Sequence, residues 1–176
     1  YRPDVPGING ESVLGVQNLG DAQRLMERTQ RVNPKTVVVV GCGYIGLEMA
    51  EAYLRRGVGV TMVEAGAEIM QTLDPDVAAM VRTAMGIEIR LQSRVVGLEP
   101  GQVHLEGGDS VPADLVVLGT GVAPNTDLAA DAGIDTGVRG AIRVDQRQQA
   151  SAEGVWAAGD CCESHHLVSR RPVHVA

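Results

Sequence analysis

The segment TVVVVGCGYIGLEMAEAYLRRGVGVTMVEAG, residues 36–66, changes its periodicity twice. Four consecutive valines, Val37 to Val40, suit a strand buried on both faces of a parallel sheet. A helical pattern follows from about Tyr44 to Arg56, and Val58, Val60 and Met62 then lead a second strand to Glu64. The result is a β-α-β unit with a glycine-rich turn between its first two elements.

The glycines of that turn, Gly41, Gly43 and Gly46, have the G-x-G-x-x-G spacing in the context that gives the pattern meaning, after a strand and into a helix. Gly41 permits a tight turn, Gly43 lets backbone approach a diphosphate without an intervening Cβ, and Gly46 lets helix pack closely on strand. The helix tip offers unpaired N–H groups to anionic oxygens, so Gly41, Gly43, Tyr44, Ile45 and Gly46 form the expected cofactor-binding turn. Glu64 ends the second strand near the offset where an acid accepts hydrogen bonds from adenosine ribose hydroxyls. A carboxylate there repels a 2′-phosphate, and EAGAE supplies no Lys or Arg to attract one. The expected ligand is therefore NAD(H) rather than NADP(H).

Outward from this unit the signals weaken. The opening YRPDVPGINGESVLG is rich in Pro and Gly and reads as connecting chain with no core of its own. DAQRLMERTQRV has a helical pattern with Asp21 as its N-cap, stopped by Asn33 and Pro34. Asp74 or Pro75 starts a helix that ends at Gly86, and IEIRLQ alternates as a third strand. RVVGLE, QVHLE and ADLVVLG, separated by Pro-Gly, Gly-Gly and Val-Pro, read as a small antiparallel meander feeding a final central strand. GVWAAGD reads as a further apolar strand. The predicted class is a Rossmann-like three-layer α/β fold, its parallel sheet carrying helices on one side and the meander on the other.

The formal net charge of −7 over 176 residues argues against nucleic acid or an anionic membrane as partner. No apolar run approaches the roughly 20 residues of a membrane-spanning helix, and a cytoplasmic protein is expected. Cys42, Cys161 and Cys162 have no metal-ligand or C-x-x-C spacing, so neither zinc nor a disulfide framework is indicated. Adjacent Cys161 and Cys162 leave open a strained vicinal disulfide beside the simpler reading of ordinary thiols. No metal site is expected.

VVVVGCGYIGLEMAEAYLRRGVGVTMVE, DLVVLGTGVAPNT and GVWAAGD, in this order, resemble the FAD-dependent pyridine nucleotide-disulfide oxidoreductases, and among them the coenzyme A-disulfide reductase and NADH oxidase branch. The resemblance implies that residues 1–33 cross over from an FAD domain, 34–140 form the NAD-binding domain and 141–176 return to an incomplete FAD domain, with a C-terminal dimerisation domain absent. It implies hydride transfer from NADH to FAD and on to a disulfide, persulfide or oxygen, in a parent that is a homodimer, while the chain alone would be inactive. Tyr44 would lie over the nicotinamide side of the flavin, and Glu48 would stand near the carboxamide; a surface tyrosine and an ordinary helix acid are the competing readings. Gly119 and Gly121 would form a second close approach to cofactor, braced by Asn125, against a plain strand-ending turn. Asp160 would hold FAD hydroxyls, or simply cap a helix. His165, His166, Arg170 and Arg171 read as a solvated tail. An NADH-dependent ferredoxin or rubredoxin reductase, and a stand-alone NAD-binding regulatory module, are the alternatives.

Overall fold

A computed structural model describes residues 2–175. They divide into two compact units, Tyr1–Gly121 and Val122–Ala176.

The first unit begins with strand β1 (Val13–Gly15) and helix α1 (Leu19–Val32), and the valine run becomes β2 (Thr36–Val40). Helix α2 (Tyr44–Leu54), β3 (Gly59–Val63), α3 (Pro75–Met85) and β4 (Glu88–Arg90) follow, then β5 (Val95–Glu99), β6 (Gly101–Leu105), β7 (Ser110–Ala113) and β8 (Leu115–Leu118). The main sheet runs β1-β8-β2-β3-β4 with every neighbouring pair parallel. Because side chains alternate across a strand, the valine run serves two cores. Val37 and Val39 join Met62, Leu115 and Val117 against Leu25, Ala50, Tyr53 and Ala78 of the helices. Val38 and Val40 join Val63, Val116 and Leu118 against Val95, Leu98, Val103, Leu105 and Val111 of the antiparallel β5-β6-β7 sheet. These are the three layers the sequence predicts.

Several local expectations are corrected. The opening segment is not a bare connector: Ile8 and Val13 are buried in the meander-side core, Leu98 N–H donates to Pro6 O at 2.9 Å, and β1 extends the main sheet. Three residues of strand are too few to show a period, and only the pairing with β8 creates the element. The N-cap of α1 is Asn18, three residues before Asp21; Asn18 Oδ1 accepts from Asp21 N–H at 2.9 Å and the Asp21 carboxylate accepts from Asn18 N–H, closing a capping box. The third meander strand is β7, in the stretch read as Val-Pro punctuation. Proline is tolerated there because β7 is an edge strand, pairing only with β6, and Pro112 faces out while Val111 and Ala113 are buried.

Two polar contacts tie the layers. Thr29 and Tyr53 share a buried hydroxyl hydrogen bond of 2.7 Å between α1 and α2. Asp114, just before β8, accepts from Lys35 N–H (2.8 Å), Thr36 N–H (2.9 Å) and Thr36 Oγ1 (3.1 Å), fixing the starts of two neighbouring strands. Those donors hold its carboxyl below the usual carboxylate range.

The second unit holds a short helix α4 (Asp127–Asp131) and a two-stranded antiparallel pair, β9 (Ser164–His165) with β10 (Pro172–Val173). The GVWAAGD stretch does not form the expected strand. Trp156 makes an isolated bridge to Gln149 and is 61% exposed, and Ala150 N–H and Val155 O close a local loop at 2.9 Å. A strand exists only where neighbours complete its ladder, and among the described residues of this unit Gln149 alone bridges Trp156. His165, His166, Arg170 and Arg171 are exposed, as expected of a solvated stretch, but they sit in a hairpin and not on a free tail: His165 pairs with Pro172, and His166 N–H donates to Arg171 O at 3.0 Å. Buried Glu163 accepts from Val138 N–H and fills the space beside Gly137. Among the described residues no helix is long and apolar enough to cross a membrane.

Candidate functional site

The C-terminal ends of β2, β3 and β8 converge in the first unit, where two glycine turns meet. Gly41 leaves β2 at φ +96°, in the left-handed region, and its N–H donates to Val63 O at 2.8 Å. Any Cβ here would lie 2.5 Å from Gly119 O. At Gly46 it would lie 2.0 Å from Gly41 O, and at Gly119 it would lie 2.9 Å from Gly46 Cα. Three glycines from two turns thus occupy one another's side-chain space, bringing α2 onto β2 and β8. Gly43 differs: nothing lies within 4 Å of its Cβ position. Three of the glycines are required by protein packing, and the fourth borders open space.

That space faces the tip of α2. Gly43 is the N-cap, with extended backbone and no side-chain cap, and the first turn has no acidic residue. Among the described residues, the N–H groups of Tyr44, Ile45 and Gly46 have no acceptor outside the helix, the first bond of the turn running from Leu47 N–H to Gly43 O at 3.0 Å. The residues here fit a diphosphate: bare backbone donors, an unneutralised helix dipole and the volume a side chain would have taken.

Glu64, half-buried at the end of β3, sits across the turn. Its Oε2 accepts from Cys42 N–H at 2.9 Å, and its Oε1 accepts from Gly66 N–H at 2.8 Å and from Gln71 Nε2 at 3.3 Å. The carboxylate therefore fixes the glycine turn from the neighbouring strand. Tyr44 (58% exposed) and Glu48, also exposed, stand one helical turn apart on the open side of α2. Gly121 takes φ +83° after β8, at the same end of the sheet.

Asp160 belongs to the second unit. It is exposed, and its carbonyl accepts from His174 Nε2 at 2.8 Å. Asn125 is also exposed there, and the loop is braced instead by buried Thr126, whose Oγ1 donates to Gly140 O at 2.8 Å. Threonine's small hydroxyl can be buried on one hydrogen bond, where the asparagine amide would need several.

Sequence reasoning missed the supports of the turn. Cys42 is fully buried between the glycines, where burial and then the Glu64 and Glu68 carboxylates push its thiol up to about 12. Glu68 is paired with Arg82 at 2.9 Å and accepts from Ile69 N–H, which holds its carboxyl below the usual range. The apolar pair Ile69-Met70, set between Glu68 and Gln71, was the sequence signal that this loop folds inward. All three cysteines are free thiols. Among the described residues no group of His, Cys, Asp or Glu gathers as a metal site.

A parallel sheet with a glycine turn opening into a helix, a carboxylate one strand over and a meander on the far face defines a Rossmann-like nucleotide-binding α/β unit. Comparison with known proteins is specific: the chain belongs to the pyridine nucleotide-disulphide oxidoreductase family, whose model matches residues 1–176. It is 37% identical to the NAD(P)H sulfur oxidoreductase (CoA-dependent) of Pyrococcus abyssi over 98% of the chain and 41% of that protein. It is 34% identical to an NADH oxidase of Methanocaldococcus jannaschii over 93% of the chain and 38% of that protein. The reduced CoADR-RHD crystal structure from Bacillus anthracis superposes with a TM-score of 0.94 at 32% identity, over 99% of this chain and 32% of that one. The chain thus spans about two fifths of the curated relatives it matches.

Proposed function

We infer that this chain supplies the NADH-binding part of a flavoprotein oxidoreductase that passes hydride from NADH to FAD and on to a disulfide, persulfide or oxygen. The observation that carries this reading is the contrast at the glycine turn, where Gly41, Gly46 and Gly119 have no room for a side chain and Gly43 borders a void beneath free helix-tip N–H groups. Family membership and the names of the relatives, which act on sulfur compounds or bear the name NADH oxidase, support the reaction class. On the same resemblance, residues 1–33 are the crossover, 34–140 the NAD-binding domain and 141–176 the return to the FAD domain, in a cytoplasmic homodimer.

When bound, the reduced nicotinamide supplies the hydride; this chain's residues supply position. The N–H groups of Tyr44, Ile45 and Gly46 hold the diphosphate, the bare backbone at Gly43 lets it approach, and Glu64 takes the ribose hydroxyls. Tyr44 would cover the nicotinamide site as a planar lid, Glu48 one helical turn on would orient the carboxamide, and Gly119 and Gly121 would bring a second stretch of bare backbone close to the cofactor. Asp160 is assigned to FAD hydroxyls.

Titration of the chain with both reduced cofactors tests the assignment. NADH binds at least about tenfold more tightly than NADPH, because a 2′-phosphate at Glu64 is repelled and unpaired. Equal or tighter binding of NADPH overturns it.

A further inference from the structure

The segment after β3 carries a glycine whose presence the backbone does not explain. Gly66 does not adopt a positive φ, so an alanine could follow the same path. A Cβ on Gly66 would fall 2.1 Å from Gln71 Nε2 and 3.1 Å from both Gln71 Cδ and Glu64 Oε1, so a side chain here would displace the flexible Gln71 amide and crowd the carboxylate. The missing side chain is the space through which the Gln71 amide reaches Glu64 Oε1, at 3.3 Å.

The chain between them is shaped to bring that amide back. Met70 has a left-handed backbone, φ +45°, unusual for a residue with a side chain, and its N–H donates to Cys42 O at 2.9 Å. Leu73 N–H in turn donates to Met70 O at 2.7 Å. The turn is therefore pinned to the glycine loop one residue before Gln71.

A carboxylate oxygen accepts about two hydrogen bonds. Glu64 Oε1 already takes Gly66 N–H and the Gln71 amide, while Oε2 takes only Cys42 N–H. One acceptor direction on Oε2 is left. Resting on the NADH reading above, we propose that Gln71 is a positioning residue for adenosine-ribose recognition: lying over side-chain-free Gly66, it saturates Glu64 Oε1 and turns the open lone pair of Oε2 toward the ribose 2′-hydroxyl. It acts through Glu64 and does no chemistry.

The test uses the 176-residue chain with ADP and 2′-deoxy-ADP as probes, followed by calorimetry, with thermal unfolding as control. The 3.3 Å bond is long and exposed, so Gln71→Ala weakens ADP binding by only about three- to fivefold. It changes 2′-deoxy-ADP binding less than about twofold, since the hydroxyl that reads the carboxylate is gone, and leaves Tm within about 2 °C. Gly66→Ala displaces the same amide and also crowds Glu64 Oε1, so it spares 2′-deoxy-ADP likewise but costs ADP at least as much as Gln71→Ala, and the double variant is no weaker than Gly66→Ala alone. Equal losses for both probes, an unchanged ADP affinity, or additive losses would overturn the positioning role while leaving nucleotide binding intact. No binding of ADP or NADH by the unaltered chain would overturn the NADH reading itself.

Discussion

Replacing Gly43 and Gly46 separately by alanine should split folding from binding, although the two glycines lie three residues apart in one turn. At Gly46 the new methyl would stand 2.0 Å from Gly41 O and 3.5 Å from Met62 Cε. The carbonyl cannot withdraw, because Gly41 is itself held against Gly119 and by its hydrogen bond to Val63. Overpacking of this kind costs about 3 kcal/mol. At about 2–4 °C per kcal/mol for a chain of this size, Tm falls by about 6–12 °C. At Gly43 the methyl meets nothing. Alanine is a poorer N-cap by some tenths of a kcal/mol but restricts the unfolded chain by about 0.4–1 kcal/mol, so Tm stays within about 3 °C. The same methyl projects where the diphosphate would lie and forfeits at least one charge-assisted hydrogen bond of about 1.5–3 kcal/mol, weakening NADH about 10- to 150-fold. Differential scanning calorimetry and a nicotinamide fluorescence titration read the two quantities independently. A Gly43→Ala chain that binds NADH undiminished, or a Gly46→Ala chain as stable as its parent, would refute the division of labour among these glycines.

Other consequences follow from the supports. Glu64→Ala strands the N–H groups of Cys42 and Gly66, so it should lower Tm by several degrees and also reduce NADH affinity, by calorimetry and titration together. Tyr53→Phe leaves the buried Thr29 hydroxyl without its partner and should cost about 1–2 kcal/mol in urea unfolding. Asp114 has a folded pKa below its unfolded one, so its contribution is present above pH about 4 and lost as pH falls through the folded value. The deficit of Asp114→Asn in Tm should therefore be largest near neutrality and shrink in acid. Cys42, buried with its thiol at about 12, should resist iodoacetamide at pH 8 until the chain unfolds, whereas half-exposed Cys161 reacts first in peptide mass spectrometry.

The parts of this fold that were legible were those whose signal is local. The valine run, the α2 pattern and the strand ending at Glu64 each carry their own period, and β2, α2 and β3 form within two residues of the expected bounds. What could not be read depends on distant partners. β1 exists because β8 pairs with it, β7 because β6 does, and the GVWAAGD stretch fails as a strand for want of neighbours. The site divides the same way. Glycine spacing announced the turn, but the fit of Gly119 against Gly46, the hold of Glu64 on Cys42 and the bracing by Thr126 rather than Asn125 are contacts between segments far apart in the chain.

The meeting of Gly41, Gly46 and Gly119 also bears on how such a chain can change over generations. Each lacks a side chain because another's backbone stands there, so the corner behaves as a fused joint, and a change at one finds no relief in a change at either of the others. Position 43 is under no such obligation. A descendant that abandoned its nucleotide should therefore lose the glycine at 43 first and keep the other three for as long as it still folds.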